Sequence, residues 1–248
     1  MLESGRKDVH NREVYKHFCF SNIFPYEETL SRKSRYNVIF STPDEELCMD
    51  IFEALHNRVK AGGESSILRL GELRFQIDQI GQPFTLDLNN SSNSTIRARS
   101  ATPIIIRIPK WRYPDYGIQS ERPFEFWRES ISLEAFVKQV RDGIEKKLAE
   151  YKGLESRARE SPVVSGEEFD HHQTQSAVPE ILSYRYLKSV SKPITIKGER
   201  QQAIGSLWEF EFSPQTQEES KNLEFALDSG LGERNSLGFG FINLLSNC

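Results

Sequence analysis

Residues 230–240 read Gly230-Leu231-Gly232-Glu233-Arg234-Asn235-Ser236-Leu237-Gly238-Phe239-Gly240. Four glycines in eleven residues exceed what a helix C-cap needs. Glycine lets a backbone come close to a ligand and leaves N–H groups free to meet it. Two readings stand side by side: a ligand cradle, or a long connection that uses glycine for a cap and a bulge. A dinucleotide fingerprint needs a strand before it and a helix after it. The order here is the reverse, and Asn235 stands where the third glycine belongs. No Lys-Ser/Thr pair follows to make a P-loop.

Working outward, residues 215–228 place Leu223, Phe225 and Ala226 at helical spacing, and residues 239–245 read as a final strand. Upstream, 180–190, 193–197 and 202–212 read as strands. Ser132 caps a helix whose stripe is Leu133, Phe136, Val137, Val140, Ile144 and Leu148. The polar stretch 155–178 reads as a loop. Residues 102–109, TPIIIRIP, read as a short strand with prolines near both ends. In the first half, 17–23 and 35–41 read as strands. Thr42 as N-cap and Pro43 at N1 open a helix carrying Leu47, Ile51, Ala54 and Leu55, which stops before Gly62-Gly63. Residues 66–80 read as one or two strands. Strands and helices mixed in this way predict an α+β fold with antiparallel sheets carrying helices on one face. Two ferredoxin-like βαββαβ units fit the order.

The 248 residues suit one large or two small domains. No apolar run approaches the ~18 residues of a membrane span, and the N-terminus shows no apolar signal segment. Cys19, Cys48 and Cys248 have no CxxC spacing, so a zinc knuckle and a disulfide framework are both disfavoured and a cytoplasmic setting is expected. The net charge of −4 argues against a nucleic-acid partner. The total hides segregation. Residues 42–64 hold six acids and two bases; residues 97–128 hold seven bases and three acids. Residues 184–200 hold Arg185, Lys188, Lys192, Lys197 and Arg200 against Glu199 alone. Two basic tracts lining one groove and two ordinary solvated faces are both consistent with this pattern.

The 230–240 segment resembles the C-terminal glycine-rich motif of the CRISPR repeat-RNA-processing endoribonucleases of the RAMP superfamily. The likeness covers both glycine clusters, their spacing and the core ERNSLGFG. HNREVYKHFCFSNIF (10–24) is similar to the family's His-containing loop and the strand after it, and ATPIIIRIP (101–109) to the strand that opens the second half. The resemblance implies tandem ferredoxin-like domains, here 1–98 and 99–248. The first would lack its initial strand and helix, because only nine residues precede His10, and a start downstream of the full protein's is expected. It implies metal-independent cleavage within CRISPR precursor RNA, without a cofactor. The alternative is a non-catalytic RAMP-type RNA-binding protein of a CRISPR effector complex. Repeat RNA is the expected partner, a membrane is not, and the chain is expected as monomer or homodimer.

By the same resemblance, His10 is the general base or acid and Lys16 the cation facing the transition state. His17 is the fallback histidine, expected to point outward. Lys188, Lys192, Lys197 and Arg200 are the expected phosphate contacts along the groove. Gly230, Gly232, Arg234, Asn235, Ser236, Gly238 and Gly240 are the expected RNA contacts of the turn. Among exposed aromatics, Trp111, Tyr113, Tyr116 and Trp127 are candidates to stack bases, with core packing the commoner use.

Overall fold

A computed structural model describes residues 15–27, 29–70, 73–88, 95–159, 179–196 and 198–245. His10 and Lys197 lie outside the described residues, as do Cys248 and most of the 155–178 loop.

The C-terminal half is one complete βαββαβ unit. Its chain order is β5 (Ile96–Ser100), α2 (Leu133–Arg159), β8 (Ile181–Ile196), β9 (Glu199–Phe212), α3 (Gln217–Ser229) and β10 (Ile242–Leu244). The sheet order is β10-β5-β9-β8, with every neighbouring pair antiparallel. Numbered within the unit this is 4-1-3-2, the ferredoxin-like order. The fold class expected from the sequence therefore stands. β5 begins at Ile96 and crosses the 98/99 line expected between the domains.

Alternation builds the core. Trp208, Phe210 and Phe212 point to one face of β9 and are buried, while Glu209 and Glu211 point to the other. The α2 stripe meets that face: Phe136, Val140, Ile144 and Leu148 are buried, and Phe136 stacks on Trp208 with ring centroids 4.2 Å apart. Each such side chain contributes roughly 1.5–3 kcal/mol of burial. From α3 come Leu223, Phe225 and Ala226. Thr216 caps α3 by accepting from Glu219 N–H at 3.1 Å. Ser132 Oγ accepts from Ala135 N–H in the same role for α2, which runs past the expected loop start at 155. Residues 181–196 form one strand where two were expected. It pairs with β9 from Ile181 through Ile196, with register shifts at Ile181/Ser183 and Tyr186/Lys188. Between β5 and α2 lies an inserted ladder, β6 (Arg107–Pro109) with β7 (Phe124–Phe126). Ile104 and Ile105, expected inside one strand, instead make single bridges to Ser206 and Glu233.

The N-terminal half is sparser. β1 (Cys19–Phe20) pairs with β2 (Phe40–Ser41), and β3 (Ile67–Leu70) with β4 (Leu73–Gln76). Between these ladders runs α1 (Glu45–Ala61), with no buried residue. Its cap is Asp44, which accepts from Leu47 N–H at 2.9 Å, and not Thr42. Thr42 donates its hydroxyl to the His17 carbonyl at 2.7 Å and accepts from Asp44 N–H at 3.2 Å, so its oxygen serves the residue before the helix and the start lies two residues on. Among the described residues no helix is long and apolar enough to cross a membrane.

Candidate functional site

The glycine-rich turn is held at a closed neck. Leu231 N–H donates to the Gly240 carbonyl at 2.9 Å, and Gly240 N–H to the Pro103 carbonyl at 2.9 Å. Glu233 N–H donates to the Ile105 carbonyl at 2.9 Å. Gly232 and Gly240 take φ of +73° and +72°. A β-carbon on Gly232 would lie 2.5 Å from the Ile105 carbonyl oxygen, and one on Gly240 would overlap the Leu231 carbonyl and the Asn235 amide. These glycines are there for backbone-on-backbone packing. Gly238 has the same handedness, at φ +85°, but open space around it. Arg234 is left-handed without being glycine, at φ +60°, and starts a 3₁₀ turn over Asn235–Leu237. The N–H groups of Asn235 and Ser236 head that turn, the positions that have no acceptor within a helix.

A cleft of about 360 Å³ opens beside this turn. Tyr15 and Lys16 line it from the N-terminal segment. Arg107 lines it from β6, Lys146 from α2, and Gly232 through Ser236 from the turn. Its two acids are already matched: Glu233 pairs with Arg107, and Asp142 pairs with Arg112 at 2.5 Å. Lys146 and Arg234 add positive charge to the cleft beyond these two pairs, and Lys16 lines it beside them. One guanidinium nitrogen of Arg234 is buried without a hydrogen-bond partner among the described residues. Burial lowers the Arg234 pKa, and the neighbouring Arg107 adds to the effect. Burial and the carboxylates of Glu233 and Glu150 raise that of Tyr15.

The cleft thus brings together Lys16, Gly232, Arg234, Asn235 and Ser236 of the expected site. Asn235 is a correction as a side-chain contact. It is buried, its amide donates to the Leu231 and Phe239 carbonyls at 3.0 Å each, and its oxygen accepts from Lys147 Nζ at 2.7 Å. Its side chain builds the turn from inside. Gly230 and Gly240 are likewise buried in the neck. Lys188 and Lys192 are exposed and pair across to Leu207 and Ala203. Cross-strand partners share a face, and Ala203 packs with Ile105 and with Phe239 of the turn. Arg200 pairs with Thr195 and so points to the opposite face. The 184–200 tract is therefore divided, because a strand sends neighbouring side chains to alternate faces. The 97–128 tract is largely neutralised: Arg97 meets Glu211 at 3.4 Å, Arg99 meets Glu209 at 3.8 Å, and Lys110 meets Glu121 at 2.8 Å.

His17 corrects another expectation. It points inward, edge-on to Tyr151 with centroids 5.4 Å apart and beside Phe225. Both ring nitrogens are buried without hydrogen-bond partners among the described residues, and burial, with Lys147 nearby, lowers its pKa to about 4. Tyr113 and Trp127 are in the core, Tyr116 packs against it, and Trp111 is 69% exposed. Sequence reasoning missed Tyr15, Arg107, Lys146 and Lys147. Lys147 had a signal: it falls on the α2 apolar stripe, three residues after Ile144 and seven after Val140.

The comparisons with known proteins agree with one another. The family model described as CRISPR associated protein Cas6, C-terminal, matches residues 86–244. A Haloferax mediterranei protein named CRISPR-associated endoribonuclease Cas6 is 26% identical over 230 residues, 92% of this chain and 76% of its own. Methanocaldococcus jannaschii CRISPR-associated endoribonuclease Cas6 2 is 29% identical over 237 residues, 95% and 83% of the two chains. Among solved structures, a RAMP protein binding different RNA substrates superposes with a TM-score of 0.58 at 17% identity, over 93% of this chain and 80% of that one. The product of a Cas6-related gene from Pyrococcus furiosus gives 0.55 at 17% identity, over 94% and 79%. These two likenesses bear on the fold. The family match spans most of the chain and includes the whole glycine-rich turn: the chain belongs to the Cas6 family.

Proposed function

We propose that this chain is an endoribonuclease that cuts CRISPR precursor RNA within the repeat, without a metal. The observation that carries the reading is the electropositive cleft in which Lys16 meets the glycine-rich turn. Both curated relatives are named endoribonucleases.

In this reading the RNA 2′-oxygen bonds to the adjacent phosphorus as the bond from phosphorus to the 5′-oxygen breaks. The products are a 2′,3′-cyclic phosphate and a 5′-hydroxyl. A general base takes the 2′ proton and a general acid supplies one to the leaving oxygen. His10 is proposed for one of these transfers, since histidine titrates near neutrality. Lys16 stabilises the extra negative charge on the five-coordinate phosphorus. Arg234 and the Asn235 and Ser236 N–H groups hold a phosphate beside it. Lys188 and Lys192 steer the flanking strand.

The test is cleavage of end-labelled repeat RNA in EDTA, with product ends identified by mass. Cleavage to a cyclic phosphate is expected, and a single 2′-deoxy substitution at the cut blocks it. Lys16→Ala and His10→Ala should each slow single-turnover cleavage by roughly 10²–10⁴-fold while RNA binding changes little. A wild-type chain that binds repeat RNA and leaves it intact refutes the enzyme and supports an RNA-binding subunit.

A further inference from the structure

The most unusual group outside the cleft lies directly beneath it. Lys147 is 3% exposed, on the apolar face of α2. Its ammonium donates to the Gly230 carbonyl at 2.6 Å and to Asn235 Oδ1 at 2.7 Å. Among the described residues it makes no ion pair. A buried cation without a carboxylate is costly. A methionine would fill the same space without that cost. What the lysine adds is a tie to both ends of the turn. Gly230 belongs to the first glycine cluster, and Asn235 bonds the carbonyls of Leu231 and Phe239, the central residues of the two clusters. One ammonium therefore fixes the amide that fixes the loop.

We propose that Lys147 is a positioning residue: it locks the glycine-rich turn in its anion-receiving form and places a positive charge under the phosphate site. This rests on the RNA-processing reading above for the identity of the anion. Position supports it, because the adjacent Lys146 lines the cleft itself. One stretch of α2 thus reaches the turn from above with one lysine and from below with the next. The balance of charge also supports it. The groups facing Lys147 are Cys19 and His17 from the N-terminal segment and Glu233 from the turn. Burial holds Cys19 as a thiol, with a pKa raised to about 12, and His17 neutral above about pH 4. Glu233, the one carboxylate among them, is paired with Arg107. A bound phosphate supplies the missing counter-charge.

Burial lowers the Lys147 pKa to about 8. Two consequences of opposite sign follow. Between about pH 8 and 10.5 the unfolded chain binds more protons than the folded one, so Lys147 makes stability rise with pH. Over the same range the folded protein loses the charge beneath the turn, so RNA affinity falls. A residue that merely supported the fold would move affinity and stability together.

The experiment uses the full chain, repeat RNA made uncleavable by 2′-deoxy substitution, and two readouts. Hydrogen exchange follows the Leu231 and Gly240 amides without RNA, and titration gives the Kd. In Lys147→Met the two amides should exchange at least tenfold faster than in wild type, with β9 amides unchanged, and Kd should rise about tenfold. Wild-type Kd should rise three- to tenfold from pH 7.5 to 9.5, while that of Lys147→Met stays flat relative to it and the wild-type Tm rises relative to the variant's. Unchanged turn exchange in a folded variant, or identical pH profiles of Kd, overturns the proposal. If Lys147→Met does not fold, Asn235→Ser and the wild-type pH series decide it: a wild-type Kd that is constant to pH 9.5 overturns it equally. A wild-type chain that fails to bind RNA at any pH refutes the RNA reading instead, and the exchange data still judge the clamp.

Discussion

The two halves of the chain are built to different standards. The C-terminal half closes a four-stranded sheet over two helices, whereas the N-terminal half has two short ladders and a helix with no buried residue. Among the described residues, the buried apolar side chains that precede Ile96 are Cys19 and Leu88. The cleft reflects this asymmetry. Its floor and most of its walls come from the packed half, and the N-terminal segment delivers Tyr15 and Lys16 to it. The phosphate cradle is thus fixed by a core, and the proposed chemistry is brought to it by a lightly held strand. Cys19 and His17 are the fasteners: the Cys19 thiol bonds the Asp228 carbonyl at 3.3 Å, and His17 wedges between Tyr151 and Phe225.

Core truncations should separate the halves most strongly. Phe136→Ala removes a ring stacked on Trp208 and should cost about 3–5 kcal/mol. Leu55→Ala, half-buried on α1, should cost about 1 kcal/mol. Urea unfolding of both variants checks this. Equal costs would mean that the N-terminal half has a core of comparable quality.

Within the turn, Gly240→Ala combines a left-handed backbone with overlap onto the Leu231 carbonyl, and should cost about 3 kcal/mol. Gly238→Ala has the same handedness in open space and should cost about 1–2 kcal/mol. Thermal unfolding of the pair distinguishes packing from handedness. If the two match, the neck is looser than its contacts indicate.

The junction between the halves should respond to acid. The pKa of His17 is about 4 in the fold against 6.5 ordinarily, so the unfolded chain binds more protons between those values. Stability from this group is complete above about pH 6.5 and is lost as pH falls toward 4. Wild type should lose about 2 kcal/mol more than His17→Phe between pH 7 and 4.5. Parallel pH curves for the two would show that the ring is solvated and the junction open.

These contrasts mark what the sequence could reveal. The order of strands and helices followed from periodicity and caps, since both are local. The four glycines pointed to the turn because handedness and close approach are demands on single residues. What escaped depends on partners distant in sequence. Asn235 is expected as an RNA contact because the resemblance covers the whole turn. Only the arrival of Lys147 from α2 makes it a buried staple. His17 alternates with Phe18, yet it faces Tyr151 and Phe225, which are more than a hundred residues away. The inserted β6–β7 ladder has strands of three residues, too short for a period to show. The cap at Asp44 escaped because the fold ties the Thr42 hydroxyl to the distant His17 carbonyl and turns its oxygen to the Asp44 N–H.

The smallest effects concern the two basic tracts, which sequence treats alike. On the outer face of the sheet, Arg97 and Arg99 lie opposite Glu211 and Glu209, and Arg185 shares Glu209. These arginines are more than half exposed, so each pair contributes at most about 1 kcal/mol. Their charge is answered on the sheet and adds little to the field that an RNA strand meets. Among the described residues no ion pair of this kind holds Lys188 or Lys192, which project from the same face further along the strands, Lys192 opposite Ala203 beside the turn. Arg97→Gln should shift Tm by a degree or two and leave the salt dependence of RNA binding unchanged. Lys192→Gln should leave Tm in place and reduce the slope of log Kd against log salt by about 1, the signature of one lost phosphate contact. Equal slopes for the two variants would erase the distinction between a neutralised tract and an open one, and would assign RNA binding to the cleft alone.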